Sequence, residues 1–549
     1  MSATASAISV AAGIETLKRG GSAADAAVTI AMTGTTTQLG SVVSFAGIMS
    51  LIYYDARTGK IHSLDGGYNT YRNETDPESI PKADLGALGT AYRTGTAGGG
   101  NFSPPPAEQT DLGRETLVPG YMAGFEVMHQ RFGRLPWREL FAPAIWYAER
   151  GVTLCAKLAG FFEWRKEFLE RTPEGRAFLH PCGNPIPRAG DRFHQPELAK
   201  TLRAVAEQGA SHMYTGGWAQ EFLRVIRREG GKVCAADLAE YQPTWSEPYA
   251  ASFAGTTVYA PGGENFAGFN AIPSLNIAEA AGVDRMSPFW KDPNSFATLS
   301  RIVGLTEGAP VLHAEVANGL DLRGIDRSRE ALLSKEFGQQ AAQLLEQIGR
   351  PPEGDGKDHH SNSLVVIDKE GNIAALTHSI NSVVWGSTGI VVGGVPIPDS
   401  AGFQQKRLAT LRPGARLPNE MVQTVAVRDE KPVFATAGIG TGLVPENIKL
   451  LVSVLGQRCG LPEVQAAPPL LTNFALGDTS TVRDVVVPEG TYSPEFLTKV
   501  ATTGLKVTEI PPQTAAGVRG TIAAVSVDPV TGKRQSSDTK GLVLFGDAY

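Results

Sequence analysis

Residues 357–381, KDHHSNSLVVIDKEGNIAALTHSIN, carry the strongest structural signal in the chain. A polar loop meets an apolar strand at Ser361, and the strand turns at a Lys-Glu-Gly-Asn sequence. A second strand then returns and ends in the polar residues Thr377, Ser379 and Asn381. Side chains two residues apart on a strand point to the same face of a sheet. The pattern therefore predicts a β-hairpin with polar groups at its open end.

Ser361 is the candidate nucleophile of this hairpin. If the backbone were cut between His360 and Ser361, Ser361 would carry both a hydroxyl and a free α-amine. Such an amine can act as the general base for the hydroxyl of its own residue. Taken alone, the segment also fits an ordinary polar entry into a strand with no catalytic role. The rest of the chain decides between these two interpretations.

The composition limits the partners and the location that we expect. The chain has 549 residues, of which 42% are hydrophobic, and its formal net charge is −6. It contains no block of basic residues, so we expect neither nucleic acid nor an anionic membrane surface as a partner. The four cysteines are widely separated, and residues 1–9 lack a basic segment followed by a long apolar run. These features predict a cytoplasmic protein.

The order of the predicted elements is typical of strands enclosed between helices. Ser22 and Asp25 form a capping box before an alanine-rich helix over residues 23–32. A hairpin follows over residues 48–64. The other main predictions are helices over 121–132, 136–150 and 218–228, and later hairpins over 424–437 and 522–537. This order predicts a mixed α/β (α+β) fold with strands between layers of helices.

A glycine-rich run, Gly438-Ile439-Gly440-Thr441-Gly442, lies between a predicted strand and a predicted helix. A dinucleotide-binding loop would need a third glycine in register, and the preceding strand belongs to a hairpin. The run instead fits a turn whose N–H groups face a developing oxyanion, or a tight turn with no catalytic role. His359 and His360 have no partners at a recognisable ligand spacing, so we expect no metal and no cofactor.

Several ordered blocks of the chain resemble the γ-glutamyltransferase family along almost its whole length. Residues 17–28 (LKRGGSAADAAV) resemble the family signature Leu-x-x-Gly-Gly-Asn-Ala-x-Asp-Ala-Ala-Val, with Ser22 in place of asparagine. The hairpin turn with Asp368 and Gly371-Asn372 matches the hairpin behind the family's nucleophile. Further blocks follow in the family's order at residues 118–120, 131–137, 148–151, 214–216, 230–233 and 237–241. Several blocks in one order are far more specific than any one of them.

The resemblance implies the fold and processing of N-terminal-nucleophile hydrolases. It implies a four-layer αββα sandwich, in which two stacked, mainly antiparallel sheets lie between helix layers. The precursor of such an enzyme cuts itself, here between His360 and Ser361. Residues 1–360 would form a large subunit and residues 361–549 a small one, together making one αββα domain. We expect a heterodimer of these two chains, and a dimer of heterodimers is the larger assembly that we consider.

The resemblance also assigns roles to residues around the nucleophile. Ser361, where the best-known members carry threonine, would be nucleophile and α-amino base, with Ser363 as the alternative. Ser379 falls on the hydroxyl residue that hydrogen-bonds the nucleophile, and Asn381 on an asparagine that lines the substrate pocket. Gly440 and Thr441 fall on the pair whose amides form the oxyanion hole.

The family's clamp for a glutamyl α-carboxylate and α-amine is altered in this chain. Its arginine is missing in register after Asp65, and only Arg72 lies near. Its serine pair aligns with Asn419 and Glu420, and its acidic residue falls near Ser400-Ala401, with Asp399 close by. An unpaired buried carboxylate is costly, so these residues disfavour a glutamyl substrate. We therefore predict hydrolysis of a small, non-glutamyl acyl amide through an acyl-enzyme on Ser361.

Two other functions remain open at this point. The first is a true γ-glutamyl hydrolase or transpeptidase that acts on glutathione-like donors, with Arg72 as the carboxylate clamp. The second is a binding protein that has the same fold but never matures and has no activity.

Overall fold

The computed structural model describes residues 1–3, 6–81, 111–307, 326, 328–345, 361–440, 442–471, 484–537 and 545–546. Two residues with predicted roles, His360 and Thr441, lie outside the described residues. Among the helices that are described, none is long and apolar enough to cross a membrane.

Within the described residues, the strands fall into two large sheets and three small pairs. In chain order they are β1 Ser2–Ala3, β2 Ile48–Asp55, β3 Lys60–Gly66, β4 Val152–Thr153, β5 Arg192–Phe193, β6 Thr244–Ser246, β7 Tyr249–Phe253, β8 Thr256–Ala260, β9 Ser361–Ile367, β10 Ile373–Ser379, β11 Val391–Val392, β12 Val395–Pro396, β13 Gln423–Arg428, β14 Lys431–Ile439, β15 Asp484–Pro488, β16 Lys506–Ile510, β17 Thr521–Val527, β18 Arg534–Ser536 and β19 Phe545–Gly546.

The α-helices precede, separate and follow these strands. In chain order they are α1 Ala7–Lys18, α2 Ala23–Thr37, α3 Tyr121–Phe132, α4 Ala142–Arg150, α5 Ala156–Leu169, α6 Pro173–Leu179, α7 Pro196–Gln208, α8 Ser211–Tyr214, α9 Gly217–Arg228, α10 Ala235–Ala239, α11 Phe266–Ala280, α12 Pro293–Glu307, α13 Arg329–Leu332, α14 Lys335–Leu344, α15 Ser400–Phe403, α16 Gln405–Leu408, α17 Leu443–Leu451, α18 Leu461–Ala466, α19 Pro494–Thr502 and α20 Pro512–Val518.

The two large sheets are antiparallel throughout. The seven-stranded sheet has the order β19-β1-β9-β10-β2-β3-β6, and the six-stranded sheet has the order β18-β17-β14-β13-β8-β7. Both sheets contain strands from before and after Ser361, since β10 pairs with β2 and β13 pairs with β8. The predicted large and small segments therefore share one sandwich.

Three hydrophobic clusters show that the sheets are stacked between helices. Val365 of β9 and Ala375 of β10 pack against Val425 and Ala435 of the other sheet. The neighbouring residues of β9, such as Leu364, instead point outward to the core that contains α1, α2 and α3. The opposite face of the six-stranded sheet packs on α11, α12 and α17. This arrangement confirms the predicted αββα sandwich, and it explains why β9 is buried on both faces.

Candidate active site

The open end of the β9–β10 hairpin brings Ser361 and Ser379 together. They are cross-strand partners, and the Oγ of Ser361 donates a hydrogen bond of 2.7 Å to the Oγ of Ser379. The backbone N–H of Asn381 donates to the same Oγ at 3.0 Å. Both serine side chains are buried, with Ser361 at 8% exposure. The hydroxyl of Ser361 is thus held in one orientation where β9 begins.

The space between the two sheets changes from apolar to polar towards Ser361. Ser50 of β2 and Ser363 of β9 lie opposite Thr377 of β10. Because Ser363 and Thr377 are two residues from Ser361 and Ser379 along their strands, these side chains lie on the same face of the sheet. The Oγ1 of Thr377 donates to the carbonyl O of Gly438 on the other sheet at 3.3 Å. The apolar residues between the sheets stabilise the fold, while hydroxyl groups gather at the end that carries Ser361.

Asn381 has a left-handed backbone conformation, with φ of +47°. This conformation is uncommon for residues other than glycine, although asparagine tolerates it better than most. It turns the N–H of Asn381 back towards the Oγ of Ser379. The preceding carbonyl O of Ile380 accepts hydrogen bonds from Tyr68 at 3.1 Å and from Ser400 at 2.5 Å. Neither Tyr68 nor Ser400 could be assigned this role from local sequence, because both are distant from Ile380 along the chain.

Gly440 begins the turn between β14 and α17. Its φ is +86°, which favours glycine, and its carbonyl O accepts a hydrogen bond of 3.1 Å from the N–H of Leu443. Gly438, two residues earlier, contacts Thr377 and so places this turn beside the end of β10. The described part of the predicted oxyanion site therefore lies beside the end of β10, and its catalytic role stays a prediction.

Asp399 lies at the start of α15 and is fully buried. Its carboxylate accepts hydrogen bonds from the hydroxyl of Ser382 and, at 2.7 Å, from the N–H of Ser387. Burial raises the pKa of this carboxyl, whereas the nearby guanidinium of Arg165 lowers it. Asp399 is thus engaged by the loop that follows Asn381.

Asn419 is also hydrogen-bonded inside the protein. Its Nδ2 donates to Asp65 at 2.7 Å, and its Oδ1 accepts from Asn265. Arg416 binds the other carboxylate oxygen of Asp65 at 3.1 Å. The described partners of Asn419 therefore belong to a network between the two sheets.

Glu420 and Arg72 face different surroundings. Glu420 forms an ion pair of 3.8 Å with Arg407, and its side chain is 13% exposed. The Arg72 side chain is 45% exposed, and it pairs with Glu240 at 2.6 Å and with Asp237 at 3.7 Å. The structure thus shows Arg72 engaged with α10 and the residue after it. The substrate-binding roles of both residues stay predictions.

His378 is a buried titratable group beside Ser379 that the sequence did not single out. It points to the helix layer, where its ring lies edge-on to Tyr121 and Phe125. Within the described residues, neither ring nitrogen has a hydrogen-bond partner. Burial lowers the pKa of His378 to about 3, so the ring is neutral near pH 7. In the sequence, only the alternation of side chains along β10 indicates that His378 faces away from Ser379.

Among the described residues, no group of three or more His, Cys, Asp or Glu side chains is placed to hold a metal ion. Cys155, Cys234 and Cys459 are free thiols. The chemical groups present at the site are hydroxyls, backbone amides and, after a cut before Ser361, an α-amine. Such a set suits acyl transfer from an amide to a hydroxyl.

The profile of the family described as Gamma-glutamyltranspeptidase matches residues 9–541. The chain belongs to the γ-glutamyltranspeptidase family. It is 28% identical over 452 residues to the glutathione hydrolase proenzyme of Pseudomonas aeruginosa, covering 76% of this chain and 72% of that protein. It is 25% identical over 369 residues to the acylase ACY 1 proenzyme of Pseudomonas sp. (strain SE83), covering 65% of this chain and 64% of that protein.

A solved structure supports the same fold. The cephalosporin acylase of Bacillus halodurans matches with a TM-score of 0.78, covering 100% of this chain and 95% of that one at 20% identity. Family membership makes the protein a hydrolase or transferase of amide bonds in the N-terminal-nucleophile class. Proteins of the family are processed from a precursor into large and small subunits that form heterodimers.

Proposed function

We propose that this protein is an autoprocessing amidohydrolase that uses Ser361 to cleave a small, non-glutamyl acyl amide. The observation that carries the proposal is the hydrogen bond of 2.7 Å from Ser361 to Ser379 at the polar end of the space between the sheets. Cleavage between His360 and Ser361 would yield chains of 360 and 189 residues (549 less 360). The mature enzyme would then be a heterodimer of these chains, and two heterodimers would pair in the full assembly.

The proposed reaction needs only groups of this chain and water. The free α-amine of Ser361, with a pKa of about 7.7–8.0, accepts the hydroxyl proton as Oγ attacks the amide carbonyl. The N–H groups of Gly440 and Thr441 stabilise the oxyanion of the tetrahedral intermediate. The amine then gives the proton to the leaving nitrogen as the C–N bond breaks. Water attacks the resulting ester, and the acid is released with the hydroxyl of Ser361 restored.

The surroundings of the predicted clamp residues support a substrate other than a glutamyl amide. Asp399 is fully buried and hydrogen-bonded to Ser382 and Ser387, while Asn419 is bonded to Asp65. Glu420 adds a negative charge at the position of a family hydroxyl, and it would repel a substrate carboxylate. The similarity to the acylase ACY 1 proenzyme is compatible with such a change in the acyl group.

A γ-glutamyl hydrolase or transpeptidase is the second candidate function. It is favoured by the 28% identity to a glutathione hydrolase proenzyme. It would require Arg72 to leave Glu240 and bind the substrate carboxylate. Arg72→Ala should then lower activity on glutamyl substrates alone, whereas our proposal expects little effect of this change on the true substrate.

A screen of amide substrates on the matured protein tests the proposal. The panel contains simple acyl amides and γ-glutamyl-p-nitroanilide, and Ser361→Ala serves as the inactive control. We expect turnover of an acyl amide that Ser361→Ala abolishes. Activity on γ-glutamyl-p-nitroanilide equal to that of an authentic family transferase would contradict the non-glutamyl assignment. A protein that never matures and cleaves no amide would support the binding-protein alternative.

The scattered cysteines are the reason for proposing a cytoplasmic location.

A further inference from the structure

The loop over residues 382–389, which follows Asn381, is held in a strained conformation. Trp385 has a φ of +57°, which is rare for a bulky residue, and Asn381 has a φ of +47°. Conformations of this kind persist only when the surrounding structure fixes them, and they are concentrated at functional sites. The surrounding contacts must therefore fix this loop beside Ser379.

Two buried ionisable side chains, Arg165 and Asp399, hold the loop by hydrogen bonds. Asp399 accepts hydrogen bonds from the hydroxyl of Ser382 and the N–H of Ser387, as described above. Arg165, on α5, donates through Nη2 to the carbonyl O of Gly386 and to the Oγ of Ser387. The side chains of Arg165 and Asp399 are both 0% exposed. The electrostatic attraction between the two groups opposes the effect of burial on the pKa of each of them.

The backbone packing leaves the loop little freedom to move. A Cβ on Gly386 would lie 3.0 Å from Oδ1 of Asp399, so the loop passes directly over the carboxylate. A Cβ on Gly389 would lie 1.9 Å from the carbonyl O of Phe168, next to the end of α5. The indole N–H of Trp385 donates to the carbonyl O of Leu39 at 2.8 Å. The loop is thus enclosed by groups from both sides of the predicted cleavage point.

We propose that Arg165 and Asp399 are positioning residues that fix the loop after Asn381 and so orient the hydroxyl of Ser361. The connection runs through covalent neighbours and three hydrogen bonds. Ser382 is bonded to Asp399, Asn381 precedes it, the N–H of Asn381 binds the Oγ of Ser379, and that Oγ accepts from Ser361.

This inference rests on the proposed function and changes one part of the sequence prediction. The family's acidic residue for the substrate's α-amine falls near Ser400-Ala401, and the sequence prediction gave that binding role to the nearby Asp399. The inference instead gives Asp399 a role through its hydrogen bonds to Ser382 and Ser387 of the loop. The two roles predict different kinetics: loss of a binding group raises KM, whereas misorientation of the nucleophile lowers kcat.

The test compares Arg165→Met, Asp399→Asn and the double variant with the wild-type protein. The measured quantities are the rate of precursor cleavage on denaturing gels, kcat and KM of the matured protein, and the melting temperature. We expect each single variant to slow both cleavage and kcat by on the order of 10²-fold, with a small change in KM. The double variant should be no slower than the slower single one, because both changes release the same loop. Arg165→Lys, which retains the charge, should recover part of the activity.

Two further variants separate positioning from general destabilisation. Arg114→Met removes a largely buried cation that pairs with Glu74 at 2.8 Å, and it should lower the melting temperature but leave kcat unchanged. Ser382→Ala removes one hydrogen bond of Asp399 and should reduce kcat in the same direction by a smaller factor, even if Arg165→Met fails to fold.

Three results would overturn the inference. Wild-type cleavage and kcat in Asp399→Asn and Ser382→Ala would show that the loop does not orient Ser361. A loss confined to KM would return Asp399 to the substrate-binding role. Both results leave the proposed function intact, provided that the wild-type precursor cleaves. A wild-type precursor that does not cleave would refute the proposed function and this inference with it.

Discussion

Gly520 lies against the turn that carries Gly440, and its replacement by alanine perturbs that turn without touching the nucleophile. A Cβ on Gly520 would lie 2.1 Å from the carbonyl O of Gly442 and 2.8 Å from the backbone N of Leu443. Both are backbone atoms, so no side-chain rotation can relieve the contact. The φ of Gly520 lies outside the left-handed range, so the alanine backbone itself is not strained.

The size of the effect follows from these distances. Contacts of real Cβ atoms essentially never fall below 3.0 Å, so Gly442 or Gly520 has to move by about 1 Å. A displacement of about 1 Å at a catalytic group can cost on the order of 10²-fold in rate. This factor corresponds to about 2.7 kcal/mol of transition-state stabilisation, similar to the loss of one oxyanion donor. We therefore expect Gly520→Ala to lower kcat about 10²-fold, because the N–H groups of the turn no longer face the oxyanion.

The assay measures kcat and KM of matured Gly520→Ala on the amide that the substrate screen identifies. Gly160→Ala is the matched control, since Gly160 lies in α5 and an added Cβ would meet no atom within 4 Å. We expect this control to keep the wild-type kcat. If Gly520→Ala also keeps it, the turn after β14 does not stabilise the oxyanion, and the predicted role of Gly440 is wrong.

Three other predictions concern the hairpin itself. Ser379→Ala removes the acceptor for Ser361 and should lower kcat about tenfold or more, whereas Ser379→Thr should retain activity; equal kcat values for both would contradict this role. Ser361→Thr keeps the hydroxyl, so its precursor should still cleave on a denaturing gel, and an uncut chain would show that the site requires serine. The pKa of His378 is depressed to about 3 in the folded protein. Below pH 6.5, His378 of the unfolded chain therefore binds a proton that His378 of the folded protein does not bind. The wild-type protein should therefore lose about 2 kcal/mol of unfolding free energy between pH 6.5 and pH 5, and His378→Phe should lack this loss in urea titrations; equal losses would refute the assignment.

The local elements were predictable where the sequence signals agree. The hairpin around Gly371 is confirmed as β9 and β10, because apolar strands and an Asp/Gly turn point to one structure. The capping box of Ser22 and Asp25 is confirmed at the start of α2. This helix continues to Thr37, five residues beyond the prediction, although threonine is a poor helix former. Burial of the whole segment outweighs that propensity.

One predicted helix was wrong at its start. Residues 136–150 form a 3₁₀ turn over Trp137–Phe141 and then α4 from Ala142. Pro143 has no N–H group to donate to an earlier carbonyl, so it fits the first turn of an α-helix and not the interior, and the α-helix begins at Ala142. The proline expected to start the helix, Pro136, lies before the 3₁₀ turn instead.

The site was predictable only in part, because its remaining contacts connect distant parts of the chain. The family pattern placed the hydroxyl of Ser379 beside Ser361, and the two residues are cross-strand partners in the hairpin. No local pattern could show that Tyr68 binds the carbonyl of Ile380, or that Arg165 approaches the loop after Asn381. These contacts depend on how the sheet and α5 pack, and packing of that kind is not encoded in the spacing of nearby residues.

Mass spectrometry of the purified protein after prolonged incubation tests the central claim most directly. The account predicts two chains, residues 1–360 and 361–549, with Ser361 as the free N-terminus of the shorter one. Ser361→Ala should remain a single chain of 549 residues. A wild-type protein that stays full-length, or a short chain that begins at Ser363, would contradict the account.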